Sequence, residues 1–352
     1  MTTQEPNPIV TQFETLHNRF KGLYDKISLP DVSRTITETN DKIQMLPADI
    51  VKVRQRGYVF AAYLEQKSNV LGKRFDDLHH RIQDAIQSEA KTFQTDHSRL
   101  DSLFIEGARL ITTTPALMTN RLPTLTSQVQ ELEDRIKATE SKLKADLGTL
   151  PADAIQTVDQ LSKINWYLDQ KDEASFKFLA GESLFLAAKA EWVATGKGKE
   201  DPDGILYLTD QRLVFEQKET TGKKLGLFGG KKTQELEWEI PLHQITDVKA
   251  ENKGLFGGKD MLYFSLKSGA PHAPQITVEV KGGVACKFWA AQVQRMLSGG
   301  TTDERAIQPD AEELEAIKKA PSACPSCGGT LPMLVAGQRQ IDCVYCSAVI
   351  RV

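Results

Sequence analysis

The 352-residue sequence lacks several features that would place it in a common class of protein. It has no run of eighteen or more apolar residues, which a membrane-spanning helix needs. Its start, MTTQEPNPIVTQF, has neither the basic segment nor the apolar core of a signal peptide. The net charge of -3 gives no general attraction to nucleic acid or to an anionic membrane. We therefore expect a cytoplasmic protein whose binding surfaces are local patches.

The sequence also lacks the motifs of common enzymes. Its 6 histidines are scattered, and neither His-Glu-x-x-His nor Gly-x-Ser-x-Gly occurs. His79 and His80 are adjacent, but neighbouring positions on a helix point about 100° apart and are poorly placed to share a ligand. We predict a protein that is not an enzyme.

Cysteine is scarce, and four of the 5 cysteines form two Cys-x-x-Cys pairs near the C-terminus. The pairs are Cys324 with Cys327 and Cys343 with Cys346, and their spacing is that of a four-thiolate zinc ribbon. Four sulfurs leave no open coordination position for catalysis. We predict a structural Zn²⁺ in a ribbon at 321–352, with iron as the alternative ion. A redox pair and a disulfide set fit less well, because the first needs a βα unit and the second an oxidising compartment.

Helical spacing of apolar residues dominates 1–172. The first helical face is apolar at Phe13, Leu16, Phe20, Leu23 and Ile27. The stretch from Ile50 to Ile111 contains no proline and would span about 90 Å as one continuous helix. The Leu-Pro-Ala-Asp sequences at Leu46 and Leu150 predict helix starts.

A second helical signal follows Pro123, which is predicted to open a helix. The heptad seam of that helix is Leu125, Val129, Leu132, Ile136, Leu143 and Leu147. Such a seam needs a partner helix, supplied by the same chain or by a second copy. We therefore predict an elongated coiled coil or bundle at 1–172 and a homo-oligomer formed through it.

From about residue 175 the apolar spacing alternates, which indicates strands. The predicted strands are 184–186, 188–193, 204–215, 235–240, 261–267 and 275–280, and helical spacing returns at 284–297. Antiparallel strands closed by one amphipathic helix are the layout of a pleckstrin-homology-like (PH-like) barrel.

Two segments carry a family resemblance. GILYLTDQRLVF, from Gly204 to Phe215, resembles the central strand pair of GRAM and bacterial PH-like domains, with a tight polar turn at Thr-Asp-x-Arg. IPLHQITDV, from Ile240 to Val248, is similar to the next element of that family. The resemblance covers 175–298 and implies a PH-like fold that binds lipids or proteins and has no catalytic residues. Ligands vary widely among such folds, so the fold does not name one.

One hexapeptide, Gly-Leu-Phe-Gly-Gly-Lys, occurs twice between predicted strands of this domain. It places Leu227, Phe228, Lys231 and Lys232 in one loop, and Leu255, Phe256 and Lys259 in the other. Lysines beside an apolar tip suit an anionic bilayer surface. The alternative is that the Leu-Phe tips pack on protein. The P-loop interpretation fails, because three residues instead of four separate the first glycine from Gly-Lys, and no Ser or Thr follows the lysine.

The whole sequence thus predicts a multidomain α+β protein. The predicted parts are the helical region 1–172, the GRAM or PH-like domain 175–298, an acidic linker 299–320 with a short helix at Ala311–Lys319, and the zinc ribbon. We expect a scaffold or adaptor that binds a membrane surface, at the inner face of the membrane, or a protein partner. The alternative is a zinc-ribbon regulatory factor associated with nucleic acid. Nucleic acid is the less favoured partner, because the ribbon carries only Arg339 and Arg351 as basic residues.

Overall fold

The computed structural model describes residues 7–197, 200–221, 231–253, 258–269 and 274–351. The chain forms two compact units. Unit 1 comprises the described residues up to Pro47 together with Gln66–Val158. Unit 2 comprises Ala48–Glu65 and the described residues from Asp159 onward.

The N-terminal half of the chain is helical. Its helices are α1 (Pro8–Lys21), α2 (Pro30–Gln55), α3 (Tyr63–Thr113), α4 (Pro115–Asp146) and α5 (Leu150–Asp172). The helix predicted to start at Leu150 is confirmed. None of the described helices is long and apolar enough to cross a membrane.

Two of the predicted helix starts are wrong. Pro47 lies inside α2 and Pro123 lies inside α4. An internal proline removes a hydrogen bond and costs about 3 kcal/mol. Packing offsets this cost, because apolar residues on both sides of each proline are buried. Those residues are Ile43, Leu46, Ile50 and Val53 in α2, and Met118, Leu122, Leu125 and Val129 in α4.

In unit 1, aromatic residues join α1 to α3. The ring of Phe20 stacks on Phe104 at 4.6 Å and on His97 at 4.1 Å between ring centroids. The guanidinium of Arg19 on α1 donates to Glu133 on α4. All six residues of the predicted heptad seam are buried within this single chain. The partner surface of the seam is therefore supplied by the chain itself, while oligomerisation stays a prediction.

The proline-free stretch from Ile50 to Ile111 is not one helix. The chain leaves helical geometry between α2 and α3, where Gly57 has a φ of +86°. The guanidinium of Arg54 donates to the carbonyl oxygens of Tyr58, Phe60 and Ala61 at 2.8, 2.6 and 3.0 Å. These bonds replace the helical ones that the break removes. The same guanidinium binds Glu65 at 2.8 Å, and this hydrogen bond lowers the pKa of that carboxyl.

Unit 2 contains a seven-stranded antiparallel sheet. The strands are β1 (Leu184–Trp192), β2 (Asp203–Thr209), β3 (Arg212–Thr221), β4 (Lys231–Pro241), β5 (Ile245–Lys253), β6 (Lys259–Leu266) and β7 (Gln275–Val280). Their order in the sheet is β4-β3-β2-β1-β7-β6-β5. Each segment predicted from alternation lies in a strand, but 184–186 and 188–193 form the single strand β1, and 204–215 forms the two strands β2 and β3. Alternation did not predict β5, whose start lies in the IPLHQITDV segment after the end of β4.

A helix packs on β5 and β6, the last two strands in the order of the sheet. This helix is α6 (Cys286–Leu297), which begins two residues after the predicted start. It packs on β5 and β6, and Trp289 and Val293 are fully buried on its inner face. Two sheet edges, β4 and β5, remain in the hydrogen-bonded order, so the closed barrel stays a prediction.

The C-terminal segment begins with α7 (Ala311–Lys319), which confirms the short helix predicted there. A two-stranded sheet of β8 (Gln340–Asp342) and β9 (Val349–Arg351) follows. The apolar segment 330–335 of the ribbon forms no strand and makes only isolated bridges. Its backbone pairs with other segments at each end: Thr330 with Ala323 and Val335 with Leu179.

Candidate metal centre and binding surfaces

The four C-terminal cysteines converge on one point. The sulfur atoms of Cys324, Cys327, Cys343 and Cys346 all lie within 4.8 Å of one another. The Cys324–Cys346 and Cys327–Cys343 sulfur pairs are 3.7 and 3.6 Å apart. A tetrahedral ion with metal–sulfur bonds of about 2.3 Å places its sulfurs about 3.8 Å apart. The residues therefore fit a four-thiolate metal site, as the sequence predicts.

Both Cys-x-x-Cys turns use the same backbone hydrogen bonds. The N–H of Cys324 donates to the carbonyl of Gly329 at 2.7 Å, and the N–H of Cys343 donates to that of Ala348 at 2.9 Å. The residue after each pair has a positive φ, +74° for Gly328 and +58° for Ser347. Glycine adopts this conformation without a steric penalty, whereas serine incurs one because of its Cβ atom. The second turn is thus the more strained of the two.

The thiols differ in their tendency to ionise. Burial acts to raise the pKa of Cys324, but the N–H groups of Cys327 and Ser326 and the nearby thiols lower it to about 6. The N–H of Ala348 acts to lower the pKa of Cys346, but the nearby thiols and burial raise it to about 12. Cys324 thus gives up its proton easily and Cys346 resists. A divalent cation favours the thiolate form of all its cysteine ligands.

The cluster of four cysteines packs against the segment that precedes β1. Cys324 and Cys343 share one buried core with Ala180, Leu331, Leu334 and Ile341. The N–H of Ala180 donates to the carbonyl of Leu334 at 2.9 Å, and the N–H of Ala336 donates to that of Phe178 at 3.0 Å. The cysteine site therefore shares a core with the segment that precedes β1.

The Thr-Asp-Gln-Arg turn between β2 and β3 is the centre of a buried polar network. The guanidinium of Arg212 donates to both carboxylate oxygens of Glu182, at 2.8 and 2.9 Å. The hydroxyl of Thr209 donates to the same carboxylate at 2.8 Å. The side chains of Arg212 and Glu182 are 4% and 0% exposed. Because Thr209 and Arg212 are buried and bind the buried carboxylate of Glu182, we assign the turn a structural role.

The same turn also binds the predicted linker. The guanidinium of Arg305 donates to Asp210 at 2.7 Å and lies over the ring of Phe60, 5.1 Å from its centroid. Burial raises the pKa of Asp210, while the N–H of Ser183 and the guanidinium act to lower it. Neither Arg305 nor Glu182 was predicted from the sequence. The signal for Arg305 is that it is the one basic residue among the acidic residues of 303–313.

The residues of the twin loops are described only in part. Leu227, Phe228, Leu255 and Phe256 lie outside the described residues. Lys231 and Lys259 are the first residues of β4 and β6, and the side chains of Lys232 and Lys259 are exposed. The ammonium group of Lys259 binds Glu279 at 2.8 Å, which raises the pKa of the lysine. The contact role of these loops stays a prediction.

The strand register separates the two loops. The β3–β4 hairpin closes at the pair Thr221 and Lys231, and the β5–β6 hairpin closes at the pair Lys253 and Lys259. Each neighbouring pair of strands in the sheet is antiparallel. Strand β3 is two places from β1 and runs parallel to it, whereas β5 is three places from β1 and runs in the opposite direction. The two hairpins therefore close at opposite ends of the strands. The β1–β2 and β6–β7 connections lie at the same end as β3–β4.

Of protein families, curated proteins and solved structures, only solved structures match this chain. No family model matches the sequence, and no curated protein matches it. Among solved structures, a pleckstrin homology domain from Shewanella amazonensis SB2B is 18% identical, with a TM-score of 0.24, and the match covers 38% of this chain and 97% of that one. The Slm1 PH domain in complex with inositol-4-phosphate is 11% identical, with a TM-score of 0.22 and coverage of 32% and 96%.

A third similar structure contains two domains. The DH/PH domains of PDZ-RhoGEF, in a complex with activated RhoA, are 10% identical, with a TM-score of 0.26, and the match covers 84% of this chain and 96% of that one. These low values carry no argument about function. The structures found to be similar to this chain thus include PH domains. The architecture of this chain is defined by its own strand order and by the packing of α6 on β5 and β6.

Proposed function

We propose that the protein is a non-enzymatic adaptor whose sheet domain, of the GRAM or bacterial PH-like type, contacts an anionic membrane surface. The observation that carries this proposal is the register, which brings three strand connections to one end of the sheet. Exposed lysines flank these connections at Lys197, Lys232 and Lys267. The sequence adds one Gly-Leu-Phe-Gly-Gly-Lys loop at this end. An apolar tip with flanking lysines is suited to the interface of an anionic bilayer.

The test is vesicle flotation of the full-length protein with phosphatidylcholine alone and with added phosphatidylserine. Each basic residue near an anionic surface contributes about 1 kcal/mol. Replacing both Lys231 and Lys232 with Gln should therefore weaken binding to the anionic vesicles by about thirtyfold. Lys249→Gln is the matched control, because this lysine is 76% exposed and lies on β5, away from the hairpin ends.

The two loops must be tested separately because they lie at opposite strand ends. Phe228→Ser should abolish flotation without lowering the melting temperature, and Phe256→Ser should leave flotation unchanged. Binding of equal strength to neutral vesicles, or loss of binding only with Phe256→Ser, would contradict the proposed surface. A fall in melting temperature of the Phe228 variant without any flotation would assign that loop to protein packing.

A protein partner is the second candidate, and an acidic cluster favours it. Glu219, Glu235 and Glu237 lie on the β3–β4 hairpin. Burial raises the pKa of Glu237, and the charges of Glu235 and Glu219 raise it further. This cluster repels anionic lipid and fits a basic protein surface. If no vesicle binds, in-cell cross-linking should capture a partner that Glu235→Lys loses. Capture that is unchanged in this variant would rule out the acidic surface.

We further propose that the metal is a structural zinc ion in a zinc ribbon. Four sulfur ligands at tetrahedral spacing support it, because structural zinc sites are closed by protein ligands. Metal analysis of purified protein should find one zinc per chain. A red protein that contains one iron per chain would identify iron as the bound ion. The absence of both metals from the purified protein would refute the site.

A further inference from the structure

Unit 2 contains a cavity of ≈ 480 Å³ between α5, β1 and the segment that joins β7 to α6. This volume lies within the range of small-molecule sites. The cavity exists because small residues face large ones. Ala187 and Ala188 on β1 and Gly282 and Gly283 after β7 leave space beneath the side chains of α5.

One wall of the cavity is aromatic. Trp166 and Tyr167 on α5 are half-buried and pack against the core formed by residues of β1, β2 and β3. Phe288 on α6 closes another side and is 47% exposed. Large apolar side chains that border a solvent-open cavity are typical of a binding site. The wall can hold the apolar body of a ligand.

Three lysines also line the cavity, and they differ in their partners. Lys281 binds Glu191 and Asp203, both at 2.6 Å. Lys163 and Lys189 are exposed and have no acidic partner within 4.0 Å in the described part of the chain. Lys163 stands three and four residues before the two aromatic residues of α5, so it shares their helix face.

The lysines that line the cavity outnumber their ion-pair partners by one. Three ammonium groups face two carboxylates, those that hold Lys281. The N–H of Cys286, the first residue of α6, already donates to the carboxylate of Asp260 at 3.0 Å, so this helix end adds no free positive charge to the cavity. The ligand that matches this arrangement carries one negative charge on an apolar body.

We propose that this cavity binds a small organic monoanion. Its carboxylate or phosphate would lie between Lys163 and Lys189, and its aromatic or aliphatic body would lie against Trp166 and Phe288. The site is separate from the strand connections assigned to membrane or protein contact. Ligand binding here and vesicle binding there can therefore fail independently.

The test is isothermal titration calorimetry on the full-length, metal-loaded protein with matched probes. The probes are 2-naphthoate and decanoate, each compared with its neutral amide. We expect saturable binding of one anion per chain and at least tenfold weaker binding of the amide. An aromatic or an aliphatic preference would each support the site, because both bodies share the same anionic head.

Variants locate the binding. Lys163→Gln and Lys189→Gln should each weaken anion binding about three- to tenfold, since a hydrogen bond to a charged group at an exposed site has a modest net value. Phe288→Ala should weaken both the anion and the amide. Lys249→Gln serves as the control and should bind as wild type. Melting temperatures establish that each variant is folded.

Three results would overturn the proposal. These are the absence of binding by either anion at millimolar concentration, equal binding of the anion and its amide, and binding that none of the cavity variants changes. The last result would place the probe elsewhere on the surface. Raised salt should also weaken the anion more than the amide, because the lysines are exposed to solvent.

Discussion

The buried ion pair between Arg212 and Glu182 provides a quantitative test of the proposed role of the β2–β3 turn. Arg212→Met keeps the length of the side chain and removes its charge. Glu182 would retain the N–H of Leu179 and the hydroxyl of Thr209 as donors, at 2.6 and 2.8 Å. Its carboxylate, which is fully buried, would lose its only guanidinium partner among the described residues.

The expected cost follows from that burial. Removing one partner of a buried ion pair leaves an uncompensated charge and costs about 3–5 kcal/mol. Arg212 also donates to the carbonyl of Lys177 at 2.8 Å and lies over the ring of Phe176. We therefore expect the free energy of unfolding to fall by about 4 kcal/mol, at the middle of that range. Arg212→Lys should recover only part of it, because an ammonium group cannot form the bidentate contact.

The assay is urea unfolding followed by tryptophan fluorescence at fixed zinc concentration. Trp192 and Trp238 report on the sheet, where their ring centroids lie 6.4 Å apart. A double-mutant cycle with Glu182→Gln isolates the pairwise energy, and the double variant should cost much less than the sum of the single variants. Lys197→Met is the control, because its pair with Glu200 is 71% and 63% exposed and contributes little.

Two outcomes would refute this reasoning. A loss below about 1 kcal/mol for Arg212→Met would show that water reaches the carboxylate, since only a solvated charge tolerates the loss of its partner. Additive single variants, within about 0.5 kcal/mol, would show that the two side chains are not coupled. Either result would remove the structural role assigned to the turn.

Four further predictions concern other parts of the molecule. Cys327→Ser should lose the metal and also lower the melting temperature of the sheet, because the cysteine cluster shares a core with the segment before β1; a sheet transition equal to wild type would refute that coupling. Ser347→Gly should stabilise the metal-bound form by about 1 kcal/mol and Gly328→Ala should destabilise it, since both positions have a positive φ; chelator competition measures both, and equal affinities would contradict the strain. The ion-paired Glu65 has a lowered pKa, so it stabilises the fold above its unfolded pKa and loses this effect as the pH falls through the folded pKa; Glu65→Gln should lower the melting temperature at pH 7 and approach wild type in acid, and a pH-independent difference would argue against the ion pair. Leu132→Ala should lower the free energy of unfolding, followed by circular dichroism, by about 2–5 kcal/mol, because this seam residue is 2% exposed; a negligible loss would contradict the burial of the seam.

Local patterns in the sequence were sufficient to predict the metal site and most elements. A Cys-x-x-Cys pair brings two sulfurs together within one turn, so its spacing predicts the geometry without knowledge of the rest of the fold. Alternating apolar residues predicted the strands for a similar reason, because side chains of a strand point to opposite faces in turn. The helix at Ala311–Lys319 also followed from local composition.

Helix boundaries depended on contacts that the sequence does not display. Pro47 and Pro123 carry the local signal of a helix start, yet each lies inside a helix whose buried face continues past it. The break after α2 has no proline: it falls at Gly57, which has a positive φ, and Arg54 donates to three carbonyls of the following segment. Packing energy and side-chain hydrogen bonds outweighed the local preference in both cases.

Only the tertiary structure decided which distant residues meet. The two Gly-Leu-Phe-Gly-Gly-Lys loops are identical in sequence, but strand direction places their hairpins at opposite ends of the sheet. Arg305 reaches Asp210 across 95 positions of the sequence, and α5 meets Gly282 around the cavity across more than a hundred. Sequence periodicity reports which face of an element is buried, whereas the pairing of faces is set by packing and register over the whole chain.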